Sequence, residues 1–339
     1  MRKVMKHKSF LGILVLFTIW ALGANSSQAQ EPIKLRYFTG MTSAHYYCSK
    51  MVPSFIEGIE KKAGGKVKFE FYPGKELYSY LGGIDATVAG TVDMGLTSIG
   101  HWGGYNKVFL CTDFFLLLED NDHWFRARDA IHPVLSSLYQ KQNVKVLHYC
   151  AYSEGAIGSS KPIRQVDDMK GMKIRAPVPG ALDSIKGWGA IPTRIAAAEM
   201  YDAMSKGAID AIVTGWGSHY ARKLYEVEDY FAGPIWQTIW VVFMNLKKWN
   251  SLPPDIQEVI KVVSKKTEDL SLALTKEADE NYKMKLRKAG RNIKILTSQE
   301  KKLWGKPLKS VYDKWIRQCD KAGYGEEARQ IMEAFTRTR

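Results

Sequence analysis

The sequence predicts an α/β protein built as two similar domains, and three observations carry that prediction. Strand and helix signals alternate along the chain, as they do in folds with a largely parallel sheet. A thirteen-residue pattern, Asp85-Ala86-x-x-x-Gly90-x-Val92-Asp93-x-x-x-Thr97, recurs 117 residues later as Asp202-Ala203-x-x-x-Gly207-x-Ile209-Asp210-x-x-x-Thr214. Each copy reads as a helix end, a glycine C-cap and a buried strand entered through an aspartate. Two copies so far apart point to two domains, because a solenoid repeats at a much shorter period. Finally, Pro253-Pro254-Asp255 opens a helix that runs to about Ala289, long enough to strap across both domains.

The elements follow in order. Arg2, Lys3, Lys6 and Lys8 precede the apolar stretch Phe10 to Ala24, and Ser27-Gln28-Ala29 offers small residues for cleavage, so residues 1–29 read as a secretion signal. The stretch is short for a spanning helix, which makes an uncleaved anchor the lesser alternative. The mature chain is then expected to begin near Gln30 and to work outside the cytoplasm. Ile33 to Phe38 reads as a strand. Tyr46 to Lys62 has helical periodicity, with Pro53 marking a kink or a late start. Val67 to Tyr72 alternates as a strand and closes on the Pro73-Gly74 turn. Helices follow at Gly82 to Ala89, Asp122 to Ala130 and Pro133 to Gln142, then a strand at Val144 to Tyr152. Ile235 to Asn245 reads as one long apolar strand. Beyond the long helix, Thr297-x-x-Glu300 is a capping box, and helices run from about Lys309 to Ala322 and Glu326 to Phe335. These boundaries predict one domain from residues 30–152 with about 241–280, and a second from 153–240 with about 281–335.

Of 339 residues, 49 are Lys or Arg and 35 are Asp or Glu. Without the four cations of the leader the balance is 45 to 35, or +10. Lysine and glutamate are mixed along the chain, so the charge is that of a solvated surface with a weak bias towards anionic partners, and no nucleic acid is expected. Cys48, Cys111, Cys150 and Cys319 lie far apart in sequence, which excludes a local zinc or Cys-x-x-Cys motif and leaves disulfides or buried thiols open. Gly-x-Ser-x-Gly, His-Glu-x-x-His, P-loop and Gly-x-Gly-x-x-Gly patterns are all absent, and the histidines are scattered. No enzyme activity, cofactor or metal is expected.

The most informative segment is Asp168 to Gly180, a polar turn and short strand ending on Arg175 just before Pro177-Val178-Pro179-Gly180. An arginine held at a strand end presents a planar fork of donors that matches a carboxylate, although a solvated surface arginine is the alternative. Ligands of open α/β sheets gather outside carboxyl strand ends, which adds Thr97, Ser98 and Thr214. Trp216 follows the second repeat's strand and is the first choice among the tryptophans for stacking on a ligand.

These residues together resemble the solute-binding proteins of tripartite ATP-independent periplasmic (TRAP) transporters, in their dicarboxylate-binding subfamily. The resemblance rests on Phe71-Tyr72-Pro73-Gly74-x-x-Leu77, Ala89 to Met94, Ser160-Lys161-Pro162-Ile163, Asp168 to Arg175, Gly189-Ala190-x-Pro192, Glu199-x-Tyr201-x-Ala203-x-x-x-Gly207-x-x-Asp210 and Asn245-x-x-x-Trp249-x-x-Leu252-Pro253. It covers about Ile33 to Ala289. It implies two α/β domains around a cleft that closes on ligand, a long helix spanning both, and delivery of the solute to small and large membrane permease subunits, with a monomeric receptor. It also implies that Arg175 pairs with the ligand's carboxylate. Two positions depart from the pattern: Gly155 stands where many relatives carry a second arginine, and Thr214 where many carry asparagine. The departures point to a monoanion, whether a hydroxy or oxo acid, a small sulfonate or an aromatic acid, held by Arg175 alone. An exported α/β hydrolase-like enzyme and a sensor module feeding a kinase are the rival classes.

Overall fold

The computed structural model describes residues 31–43, 45–74 and 77–339. The secretion-signal reading lies outside the described residues. β1 (Ile33–Thr39), β2 (Val67–Tyr72), β3 (Met94–Ser98) and β4 (Val144–Cys150) form a first sheet with β10 (Trp240–Asn245), in the order β2-β1-β3-β10-β4. β5 (Gly155–Ser159), β6 (Lys173–Arg175), β7 (Ile191–Thr193), β8 (Ala211–Gly215) and β9 (Tyr230–Trp236) form a second with β11 (Asn292–Ile295), in the order β11-β9-β5-β8-β6-β7. Both sheets are mixed, not largely parallel. β10 runs antiparallel between β3 and β4, and β5 antiparallel between β8 and β9. The reason is topological: each of these strands arrives directly from the other half of the molecule.

That exchange corrects the reading of Ile235 to Asn245 as one strand. The run is divided between β9 and β10, with Gln237 to Ile239 crossing from sheet to sheet. The run reads as one strand because both pieces and the crossing, including Gln237 and Thr238, are buried. The second crossing, Ala151 to Glu154, joins β4 to β5.

Among the helices, α1 (Val52–Lys62) is entered through a π-helical turn, Tyr47–Met51, and Pro53 sits in its first turn, where no intrahelical N–H is needed. α2 (Tyr80–Ala89) is capped by Ser79, whose hydroxyl accepts from the Gly82 N–H at 3.2 Å. The two helices expected around Pro133 are one, α3 (Asn121–Gln140). A single buried stripe of Trp124, Ala127, Ile131, Leu135 and Leu138 runs through the proline and holds both segments to the same core. α4 (Pro179–Gly187), α5 (Met200–Ser205), α6 (Trp216–Ala221) and α7 (Leu246–Ser251) are short, and α8 (Pro254–Lys288) is the 35-residue helix anticipated. α9 (Ser298–Gly305) starts at the Thr297–Glu300 capping box, and α10 (Lys309–Lys321) and α11 (Gly325–Arg337) complete the chain. The last two bind the first half: from α10, Trp315 Nε1 donates to Lys107 O at 2.7 Å and the Tyr312 hydroxyl to Phe115 O at 2.6 Å, and Phe335 O of α11 lies 2.8 Å from His123 Nε2. Cys48, Cys111, Cys150 and Cys319 are buried, unpaired thiols.

Candidate functional site

The thirteen-residue repeat is structural. Gly90 and Gly207 end their helices in the left-handed region, at φ 84° and 66°, where a side chain would be strained. Asp93 then accepts from the Arg36 N–H of β1 at 2.8 Å, and Asp210 from the Lys173 N–H of β6 at 2.7 Å. Each aspartate thus locks its own strand, β3 or β8, to the neighbouring parallel strand and fixes where the strand ends emerge. On the first sheet Ser98 pairs with Trp240 across β3 and β10. On the second, Arg175 pairs with Thr193 and Ile212.

Arg175 is only 4 % exposed. Its Nε donates to Ile195 O at 3.0 Å and its Nη1 to Val213 O at 3.4 Å. Burial, with a smaller contribution from the Arg222 charge, lowers its pKa to about 10, and no carboxylate opposes that shift. It remains a cation at neutral pH. Arg222, which sequence reasoning missed, follows α6 and is exposed. Its Nε donates to Ser218 Oγ at 3.2 Å and its Nη1 to Ala197 O at 3.5 Å, so both arginines lean on the segment from Ile195 to Ala197.

The charge of Arg222 also reaches His45, Tyr80 and Tyr152. These belong to an aromatic wall contributed by the first half and the crossing. His45 stacks on Tyr152 at 5.5 Å with rings 4° apart, and Tyr152 on Trp240 at 5.2 Å. Tyr80 stacks on His101 at 4.6 Å and meets Trp240 edge-on at 5.5 Å. Burial, aided by Arg222, lowers the His45 pKa to about 4, and burial alone does the same to His101, so both rings are neutral at neutral pH. The Trp240 Nε1–H is buried without a partner among the described residues. Tyr80 and His101 open onto a cavity of about 670 Å³ that also touches Pro177, Pro179 and Arg194 of the second half. The cavity therefore lies between the two halves, and the Arg175 strand leads to its edge.

The other residues singled out from sequence fall differently. Ser98 Oγ is 3.1 Å from His101 Nδ1, which ties it to the wall. Thr97 is fully buried; its hydroxyl donates to Ser98 O at 3.2 Å and accepts from Trp102 Nε1 at 3.2 Å. Thr214 is half-buried on β8, opposite Ala156. Trp216 is fully buried, in a cluster with Ala156, Phe231 and Leu286 and with Lys283 Nζ 5.4 Å from its ring, and in this conformation it offers no free face for stacking. The stacked rings of the wall are instead Tyr80 and Tyr152, both half-buried, and the buried Trp240 behind them. Gly155 is packed against Trp236: a Cβ there would lie 2.9 Å from Trp236 Cβ.

The long helix meets the crossing through side chains rather than apolar packing alone. Glu268 accepts from the Tyr149 N–H at 3.3 Å, Ser271 Oγ from the Ala151 N–H at 3.1 Å, and Thr275 Oγ1 donates to Ala151 O at 3.3 Å. Asp279 accepts from the Ser153 hydroxyl at 2.5 Å and the Glu154 N–H at 2.8 Å. The spacing of three, four and four residues puts all four on one face of α8.

Two α/β halves joined by crossing strands, with a cation and aromatic rings between them, define a binding protein with an interdomain cleft. The sequence profile of DctP, the bacterial extracellular solute-binding protein, family 7, matches residues 38–318, and the chain belongs to that family. It is thus a solute-binding protein of an extracytoplasmic family and not an enzyme. It is 24 % identical over 320 residues to the C4-dicarboxylate-binding periplasmic protein DctP of Rhodobacter capsulatus, covering 91 % of this chain and 94 % of that protein. It is 22 % identical to the 2,3-diketo-L-gulonate-binding periplasmic protein YiaO of Escherichia coli, covering 87 % and 90 %. Among solved structures, DctP6 of Bordetella pertussis, an extracytoplasmic solute receptor binding pyroglutamic acid, superposes with a TM-score of 0.80 at 23 % identity, over 90 % of this chain and 99 % of that one. A TRAP periplasmic solute-binding protein of Ochrobactrum anthropi, with its C-terminus bound in the ligand pocket, gives 0.85 at 19 % identity, over 91 % and 96 %.

Proposed function

We propose that this protein captures a small organic monoanion by closing its cleft on Arg175 and hands it to the small and large membrane subunits of a TRAP transporter. The observation that carries the reading is Arg175 itself: a nearly buried guanidinium, held by two backbone carbonyls, with no carboxylate partner among the described residues. A buried charge calls for a partner, and an incoming carboxylate or sulfonate supplies one in bidentate geometry. The moving bodies are residues 30–152 with about 241–280, and 153–240 with about 281–335, except that α10 and α11 bond to the first half and travel with it. The receptor acts as a monomer. Bound anion links the second half, through Arg175, to the wall of Tyr80, Tyr152 and Trp240, and stabilises the closed state by its differential affinity for it. Gly155 and Thr214 withhold the extra polar contacts of many relatives, and the aromatic wall takes their place.

Mass spectrometry of the compound released by denaturing natively purified protein tests the reading. A carboxylic or sulfonic acid is expected. A neutral or cationic ligand would contradict it, and so would chemical turnover of the bound compound.

A further inference from the structure

We propose that Arg222 is the second arm of the anion site, so that the ligand is an organic acid carrying an oxygen acceptor beside its acid group. The inference rests on the Arg175 reading above and adds a residue and a ligand class to it. Arg175 bonds Ile195 O and Arg222 bonds Ala197 O, carbonyls two residues apart on one short segment. Two guanidinium groups are thereby held as neighbours, and neither has a carboxylate in ion-pair range among the described residues. Like charges repel, so the arrangement persists at a cost that an anion between them removes.

Arg222 is also placed to face the ligand and not merely to cap its own helix. Its charge acts on His45 and Tyr80 of the first half, on Tyr152 of the crossing and on Arg175 of the second half. Its charge is thus within electrostatic reach of groups from both halves and the crossing, while its bond to Ala197 O holds it beside Arg175. Its bonds to Ser218 and Ala197 occupy Nε and Nη1, which leaves the remaining guanidinium donors for a ligand. The position at Gly155 is closed to any arginine by Trp236. A second cation comes from another element, and Arg222, the residue after α6, is the one bonded to the same segment as Arg175. With Arg175 holding the acid group, Arg222 meets an adjacent oxo, hydroxyl or ring-carbonyl oxygen, a chemistry shared by oxo acids, uronates and lactam acids.

The test is calorimetry with 2-oxoglutarate, pyroglutamate and D-glucuronate, against benzoate as an acid lacking the second acceptor. Wild-type protein is expected to bind at least one of the first three more tightly than benzoate. Arg222→Gln, a change at an exposed position, should weaken that complex by fivefold or more, weaken benzoate less, and not lower the melting temperature of the unliganded protein, since it relieves the repulsion with Arg175. A loss under fivefold, or an equal loss for benzoate, overturns the second arm while Arg175→Gln still abolishes binding. If Arg175→Gln leaves binding intact, or wild type takes none of the four acids, the anion reading itself fails. Independently of any ligand, Arg222→Gln should raise the titration midpoint of His45 in proton NMR, and an unmoved midpoint contradicts the placement of Arg222 over the cleft.

Discussion

Trp236 stands where a side chain on Gly155 would begin: a Cβ at residue 155 lies 2.9 Å from both Cβ and Cε3 of the indole. The two residues are paired across β5 and β9, next to a register shift that lets the ring lie over the glycine. A side chain at residue 155 is therefore excluded by the bulk of its neighbour. Gly155→Ala is expected to destabilise the protein by about 1–3 kcal/mol, the usual cost of overpacking. Urea denaturation checks this, and a variant as stable as wild type contradicts the packing account.

Asp279 pins the crossing strand to the long helix through Ser153 and Glu154. Asp279→Ala leaves a buried hydroxyl and a backbone N–H without their acceptor, at about 1–3 kcal/mol each. The variant should melt several degrees lower and show faster amide hydrogen exchange in residues 151–154 than in β1. Unchanged exchange there would mean that the helix does not hold the crossing.

Asp113 is fully buried, with neither carboxylate oxygen partnered among the described residues, and burial pushes its pKa up to about 8. The sign follows from linkage. The native state keeps a proton that the unfolded chain releases near the usual carboxylate value, so this group's contribution falls as pH rises from about 4 to 8. Asp113→Asn removes the titration and keeps the shape. Its melting temperature relative to wild type should climb across that window, and a difference independent of pH would show that Asp113 is ionised in the native protein.

How much could be read beforehand depended on how local each feature is. Asp93 and Asp210 were legible because a helix end, a left-handed glycine and a strand entry fit within thirteen residues. The strand-end position of Arg175 was legible for the same reason, since its strand and its prolines are contiguous. Arg222, His45, Tyr80 and Tyr152 converge from four separate segments, and no spacing announces them. The buried polar face of α8 was hidden by its chemistry: Glu268, Ser271, Thr275 and Asp279 are polar residues that nothing in the sequence marks for burial, yet they are buried because they serve the backbone of β4 and the crossing. Between Trp236 and Trp240 only Gln237 and Thr238 interrupt the apolar run, and no glycine or proline marks the change of sheet.

The central claim is that Arg175 holds the anion. The direct measurement is calorimetric titration of wild type and Arg175→Ala with the acid recovered from the natively purified protein. A charge-assisted contact of about 1.5–3 kcal/mol predicts at least a tenfold loss of affinity in the variant. Equal affinity in the two proteins would contradict the account.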